Sequence, residues 1–466
     1  KDVETYVIDM SFYTDLGEDG NDRMEILSID EENKKAKVRV NAGTREDEFD
    51  TFLAENNLAL QTVTAGGIFS MGGMTSNDVH GGSIRCGIFA ETCSEFTFVT
   101  YDQNKGGVHE VSINSSNSDL ETADGFHPIQ FARVNLGCLG IVTSIVVDCD
   151  LRPHQESLQG RMAFVHVTLE QEFCYAFQDF CKHQRMECFY DPYKGGFLPL
   201  MWDLVDEFDT LGTKNDPPAL TLDTEDHAIK QFYGAPLQGI FFRKGGPLDF
   251  IESLAEGSMA GSQYLEGTYR VGKKGAEFFV KTAMSNIATS QVAAAFTAYS
   301  EAWLQDAARC VFMSYFVKLP NLEEEGLAKT YQLLQVVTKL VNEPKNFHIA
   351  GPMEFRFVKG GTSANAGTYC PDDPDATFVN LDLIAFTSAG EGNKDPVRYP
   401  KKLLQFMADV EREWFGAGGL PHQGKMYGFY DPQGAEGNCC PPFNANFVQE
   451  VRSQRDQSAL TAFNTF

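Results

Sequence analysis

Long apolar runs are missing from this chain: nothing approaches the ~20 consecutive residues needed to cross a bilayer, and the best candidate is the strand-like run from Ile141 to Val147. A soluble chain with no membrane span is expected. Positive charge is scarce, with 38 Lys and Arg against 65 Asp and Glu, a formal net charge of -27 and a pI near 4.7. Such a surface repels phosphate backbones and anionic lipid, so nucleic acid is not an expected partner. The eleven cysteines include no Cys-x-x-Cys pair, and the adjacent Cys439 and Cys440 do not easily span a normal disulfide. That argues against both a zinc site and a dense disulfide framework, and most of the thiols are expected to be free and buried. The opening residues Lys1-Asp2-Val3-Glu4 carry neither an initiating Met nor a signal-peptide pattern, so the front reads as processed or truncated and the compartment stays open. A single sequon at Asn114-Ser115-Ser116 does not close it.

What is present is a long, core-forming chain. Its 466 residues are 42% hydrophobic and 12% aromatic, which excludes a disordered segment and a single small module and predicts two or three packed units. Lys35 to Val40 alternate as a half-buried strand, Asn41-Ala42-Gly43 turn, and Thr44 followed by Asp47 resembles a capping box opening a helix with Phe49, Phe52 and Leu53 on one face. From Leu58 to His80 short extended pieces are broken by glycine pairs. A hairpin over Phe96 to Tyr101 and Gly107 to Ile113, turning at Asn104-Lys105-Gly106-Gly107, a short helix near Pro128 to Asn135 and a strand from Ile141 to Asp148 complete a first unit, residues 1–150. A second unit, 151–415, alternates strands and helices: Arg161 to Leu169 and Cys310 to Leu319 extended, Glu170 to Gln184 and Asn321 to Val341 helical, Met353 to Val358 and Ala376 to Phe386 extended, and Pro400 to Phe415 helical. The aromatic, Gly-rich and Pro-rich tail, 416–466, is expected to return to the first unit and complete the active site.

The densest signal is Gly66-Gly67, Gly72-Gly73-Met74-Thr75, His80-Gly81-Gly82-Ser83 and Gly87. Glycines let backbone approach a ligand and offer N–H groups to phosphate oxygens, so a dinucleotide is the natural guest, against the plain alternative of a Gly-rich turn region in an all-β piece. A second constellation places Glu354 and Arg356 on one face of a strand, Asn380 on the next, and Pro421-His422-Gln423-Gly424-Lys425 after a Gly-rich turn. Taken singly, Glu354 with Arg356 could be a surface ion pair, His422 a satisfied structural histidine and Lys425 a solvated lysine.

In their order, the strand and Val-x-Ala-Gly-like turn, the glycine pairs, His80-Gly81-Gly82-Ser83 and Leu136-Gly137-Cys138-Leu139-Gly140-Ile141-Val142-Thr143 resemble the FAD-binding (PCMH-type) domain of the vanillyl-alcohol oxidase superfamily over roughly residues 25–150. The resemblance implies an α+β, two-domain fold with a substrate or cap domain built on an antiparallel sheet. It implies FAD held by Gly66, Gly67, Gly72, Gly73, Thr75, His80, Gly81, Gly82, Ser83, Gly87, Gly137, Gly140, Ile141 and Val142. The family's Gly-x-Gly-His-Ser loop, which often bears the flavin-linked histidine, has no counterpart here, and no histidine precedes His80. A separate chain or segment supplying it is therefore an expected partner. Glu354-x-Arg356, Asn380 and the Pro421-His422-x-x-Lys425 segment are similar to the aldonolactone and alditol oxidase branch, where such side chains surround the reactive edge of the flavin.

That likeness implies oxidation of a hydroxyl on a sugar-derived substrate by hydride transfer to flavin N5, with oxygen or a haem protein such as cytochrome c as acceptor. Negative charge then develops near N1 and C2=O, which Arg356 and Lys425 would stabilise, while Glu354, His422 or Asn380 would take the alcohol proton. Gln423 stands where that branch usually has an aromatic residue, which leaves the substrate open. Two alternatives stand beside it: a non-catalytic scaffold subunit of a larger assembly, and a flavoenzyme of another branch acting on phenols or 2-hydroxy acids.

Overall fold

The computed structural model describes residues 8–64, 66–102, 106–116, 125–153, 157–205, 272–294, 310–373, 375–386, 399, 401–434 and 438–466. The opening Lys1 to Glu4, Ala65, the hairpin turn at Asn104 and Lys105, and Pro400 lie outside them. Two antiparallel sheets organise the chain. The first has the order β1 (Met24–Asp30), β2 (Lys35–Asn41), β6 (Ile141–Leu151), β4 (Cys93–Asp102), β5 (Gly107–Asn114), with β3 (Leu58–Ala59) also paired to β6. The second has the order β14 (Leu420–Pro421), β11 (Cys310–Leu319), β13 (Thr377–Phe386), β12 (Met353–Lys359), β9 (Arg185–Asp191), β10 (Gly196–Leu204), β7 (Leu158–Met162), with β8 (Val165–His166) on β10. The architecture is thus α+β in two domains, the cap being built on an antiparallel sheet.

Strand periodicity decides what each face of the second sheet does. Cys188, Phe355, Phe357, Val379, Leu381, Leu383, Met313, Tyr315 and Val317 point one way, into a core closed by α4 (Glu170–Phe180), a helix at Glu324–Asn342 and another at Lys401–Gly416. The opposite face carries Glu187 on β9, Glu354 and Arg356 on β12, Asn380 and Asp382 on β13, and Phe312, Ser314 and Phe316 on β11. Register sets these side by side, with Arg356 opposite Glu187 and Asn380, and Glu354 opposite Asp382. Five polar side chains therefore share one face of three adjacent strands, with Ser314 a sixth on β11.

Several local expectations change. The first helix, α1 (Glu46–Glu55), is capped at Arg45 rather than Thr44, because the Glu48 carboxylate reaches back to the Arg45 N–H. Gly72 and Gly73 lie in a short helix, α2 (Met71–Thr75), capped by Ser70, instead of an extended loop. A Cβ on Gly72 would come within 2.9 Å of the Ala42 Cβ, so glycine there lets α2 press on the turn after β2. The stretch Arg161 to Leu169 divides into β7 and β8. Strands β9 and β10 were not anticipated. All seven positions of β9 are buried, Arg185 and Glu187 among them, so it shows no alternation. The ten cysteines whose side chains are described are free, but only Cys93, Cys149, Cys174 and Cys188 of them are buried. In the tail, Phe463 and Phe466 pack on Phe131, and Phe466 also meets the core of the first sheet. No helix among the described residues is long and apolar enough to cross a membrane.

Candidate active site

One end of the site is a groove of 530 Å³ lined by Ala42, Gly43, Ser70, Gly72, Gly73, Ser76, Gly140 and Val142, with Ile8 to Ser11 along its rim. Four of the twelve lining residues are glycines and a fifth is alanine, and the volume is that of a small-molecule site. Gly140 adopts φ +133° because its α-carbon lies against the Val99 carbonyl, where a Cβ would come within 2.6 Å. Asp9, the charged residue of the rim, already accepts from the Ser11 amide and hydroxyl, which hold its carboxyl below the usual range. Of the glycines singled out in the sequence, Gly72, Gly73 and Gly140 line the groove, with Val142. Gly137 and the exposed Ile141 are outside the groove lining. Thr75 is buried and donates to Met71 O. The others approach the chain itself. Gly67 N–H donates to Thr64, a Cβ on Gly81 would strike the Val63 carbonyl, one on Gly82 the Met186 carbonyl and one on Gly87 the Glu91 side chain. Ser83 bridges to Arg185. Gly66 is half-buried and outside the groove lining. Ala42, Gly43, Ser70 and Ser76, which the sequence showed only as turn and loop residues, complete the wall.

Four residues beyond Ser76 the same loop delivers His80 to a buried cluster on the polar face of the second sheet. His80 lies 5.2 Å from Phe316 and 5.6 Å from His422, ring centre to ring centre, and its carbonyl accepts from Arg356 Nη1 at 3.3 Å. Strand β14 stitches the tail to β11, so that His422 N–H donates to Ser314 O and the His422 ring stacks on Phe316. Three residues on, Lys425 Nζ sits 4.1 Å over the Phe312 ring and bonds both Asp382 oxygens at 2.9 and 3.0 Å. Arg356 pairs with Glu187 at 3.1 Å and with Glu354. Glu354, Arg356, Asn380, His422 and Lys425 therefore meet in one place, together with His80. Glu354 with Arg356 is a buried pair, not a surface one.

Burial and pairing set the charges. Desolvation works against the Arg356 charge, but Glu187 and Glu354 outweigh it and hold the guanidinium above its usual range. Burial, then the neighbouring Arg356 and Lys425, push His80 down to about 3, and the same causes carry His422 well below its ordinary value. Both rings are neutral. Asp382 is lowered: burial opposes its charge, and Lys425, His80, the Ser314 hydroxyl and Arg356 together more than offset that. His80 Nδ1 faces the Gly81 carbonyl and so carries the proton, leaving Nε2 as an acceptor; His422 Nδ1 accepts from Gly424 N–H, leaving the proton on Nε2. The sequence reading did not find Glu187, Asp382 or Asp78. Each reads as an ordinary polar residue until the fold brings it to the cluster.

A flavin dinucleotide fits this arrangement. The groove offers a bed rich in glycine and small residues, Ala42, Gly43, Ser70, Gly72, Gly73, Ser76 and Gly140, for a diphosphate-bearing chain. In the cluster, the Asn380 carbonyl oxygen and the Arg356 Nε are buried with no hydrogen-bond partner among the described residues, an acceptor and a donor that a polar ring edge would satisfy.

The comparisons agree on the first unit. The family described as FAD binding domain matches residues 12–111. L-gulonolactone oxidase of Mus musculus is 32% identical over 124 residues, and that of Bos taurus 31% over the same length, each match covering 27% of this chain and 25% of the relative. The chain thus matches only a quarter of the length of these relatives. In fold, cholesterol oxidase from B. sterolicum superposes over 95% of this chain and 80% of its own with a TM-score of 0.63 at 14% identity. A solvent-stable cholesterol oxidase gives 0.62 at the same identity, over 94% and 80%.

Proposed function

On the premise that this chain belongs to the vanillyl-alcohol oxidase type of FAD-binding fold, related through part of its first unit to the aldonolactone oxidases, we propose that it is an FAD-dependent oxidoreductase removing hydride from a hydroxyl-bearing carbon of a sugar-derived substrate. Residues 1–150 would hold the cofactor, 151–415 would form the cap over the substrate, and 416–466 would close the site. The observation that carries the reading is the convergence of His80, Arg356, Asn380, His422 and Lys425, from four separate stretches of chain, around the Asn380 oxygen and Arg356 Nε, which have no hydrogen-bond partner among the described residues.

Bound FAD would supply the hydride acceptor. Around it, Gly72, Gly73, Gly140 and Val142, with Ala42, Gly43, Ser70 and Ser76, would hold the cofactor chain. Arg356 and Lys425 would bring positive charge to the ring, but each arrives already paired, so their field is set by Glu187, Glu354 and Asp382 as much as by themselves. The substrate hydroxyl would meet complementary histidines, the His80 Nε2 as acceptor and the His422 Nε2–H as donor. Glu354, tied to Arg356, is less free to take the proton than it looked in the sequence. Oxygen or a haem protein would reoxidise the cofactor, and a separate segment could contribute further cofactor contacts.

The test is optical. A purified holoprotein with flavin absorbance that bleaches under anaerobic addition of an aldonolactone or alditol supports the proposal. Bleaching by a phenol or 2-hydroxy acid alone would move it to another branch, and a folded, colourless protein would favour a scaffold.

A further inference from the structure

The polar node behind His422 has a place in neither the cofactor groove nor the set of paired cations. We propose that Asp78 is a positioning residue for His422: from the first unit's loop it holds the backbone beside that ring, so that Gly424 N–H meets Nδ1 and Nε2 is the nitrogen left for the substrate. This rests on the reading of His422 given above.

Asp78 is fully buried between three stretches of chain. Its Oδ2 accepts from Gly367 N–H of the cap at 3.0 Å and its Oδ1 from Gln423 N–H of the tail at 2.6 Å. The same Oδ1 lies 3.1 Å from His422 Nδ1, which itself accepts from Gly424 N–H at 2.9 Å. Two amides from two segments require two acceptor oxygens on one short side chain, which a carboxylate has and an amide does not. On the far side, buried Arg455 from the tail donates to Asn365 O at 2.8 Å and Ala366 O at 3.2 Å, the two residues before Gly367, and its charge favours the carboxylate. Loop, cap and tail are thus fastened at one side chain, and the fastened part of the tail is the imidazole. With the Gln423 amide held by Asp78, the next amide, Gly424 N–H, stays on Nδ1, and the ring keeps one orientation and one tautomer; the Asp78 oxygen beside the bare Nδ1 is a neighbouring acceptor, not its hydrogen-bond partner.

The experiment labels histidine with 15N and reads ring tautomers by two-bond proton–nitrogen correlation, His422 being assigned by its loss in His422→Gln. The wild-type chain should show a single neutral His422 tautomer with the proton on Nε2. In Asp78→Ala, and in Asp78→Asn, which keeps the volume if the alanine variant does not fold, that signal should split or shift to mixed tautomers. In a turning-over enzyme kcat should fall about ten- to a hundredfold, the scale of a misplaced reacting group, with KM little changed. An unaltered His422 signal in Asp78→Asn overturns the proposal, whatever happens to stability. If wild-type protein bleaches with no substrate, the functional reading fails while the tautomer measurement still decides the role of Asp78.

Discussion

Where the groove is walled by backbone, with Ala42, Gly43, Gly72, Gly73 and Gly140 adding almost no side-chain atoms, the cluster a few residues along the same loop is walled by charge, with Glu187, Arg356, Glu354, Asp382 and Lys425 paired out of water. The first depends on what is absent at Cβ and the second on every partner being present. A groove of that kind tolerates small local shifts, whereas a buried ion network fails when one member is removed, because the remaining charge keeps its desolvation cost. The two regions should therefore break differently.

The largest effect is expected from Arg356→Met, which strands Glu187 and Glu354 together. It should cost about 3–5 kcal/mol in denaturant unfolding and abolish substrate-driven bleaching. Adding Glu187→Gln should restore part of the stability and none of the activity.

Acid offers the next contrast. His80 is lowered in the folded chain to about 3 from 6.5, so the unfolded chain binds its proton first as pH falls. Stability from this group is complete above the unfolded value and declines between those two pH values as pH drops, by about 1.4 kcal/mol per pH unit. His80→Gln should flatten that limb in urea titrations at successive pH values. Asp78, raised by burial to about 6, has the opposite sign, losing stability as pH rises through its own window.

In the groove, Gly72→Ala should cost about 1–3 kcal/mol by overpacking against Ala42 and lower flavin occupancy measured as the absorbance ratio, without changing the reduction rate of the occupied fraction. A loss of rate in that fraction would erase the distinction between the two regions. Ser70→Ala, which removes the α2 cap, should be mildest, about 0.5–1 kcal/mol, read from the same unfolding curves.

The legibility of the chain follows the same division. Strands β2 and β6 alternate or run apolar, and α1 carries Phe49 and Leu53 on one face, so local pattern exposes them. The glycine pairs mark the loop, yet most of them serve contacts with the chain's own backbone, which glycine content alone cannot separate from ligand contact. Strand period placed Glu354 and Arg356 on one face, but Glu354, Arg356, Asn380, His422 and Lys425 were marked as a set only by their likeness to the aldonolactone and alditol oxidase branch. Glu187 and Asp382 were not, since their meaning is created by cross-strand register, and Asp78 sits between Asn77 and Val79 like any turn residue. Arg455, at the end of the helix Ala445–Gln454, has no local cue at all.

The five polar residues on the face of β9, β12 and β13 also guard against misfolding. Sliding any one of these strands by a single residue would turn its carboxylate or guanidinium into the layer of Phe355, Leu381 and Tyr315, and expose a phenylalanine or leucine in its place. A misaligned sheet would face several bare charges in oil at once. The cluster therefore favours the observed register over its one-residue slips.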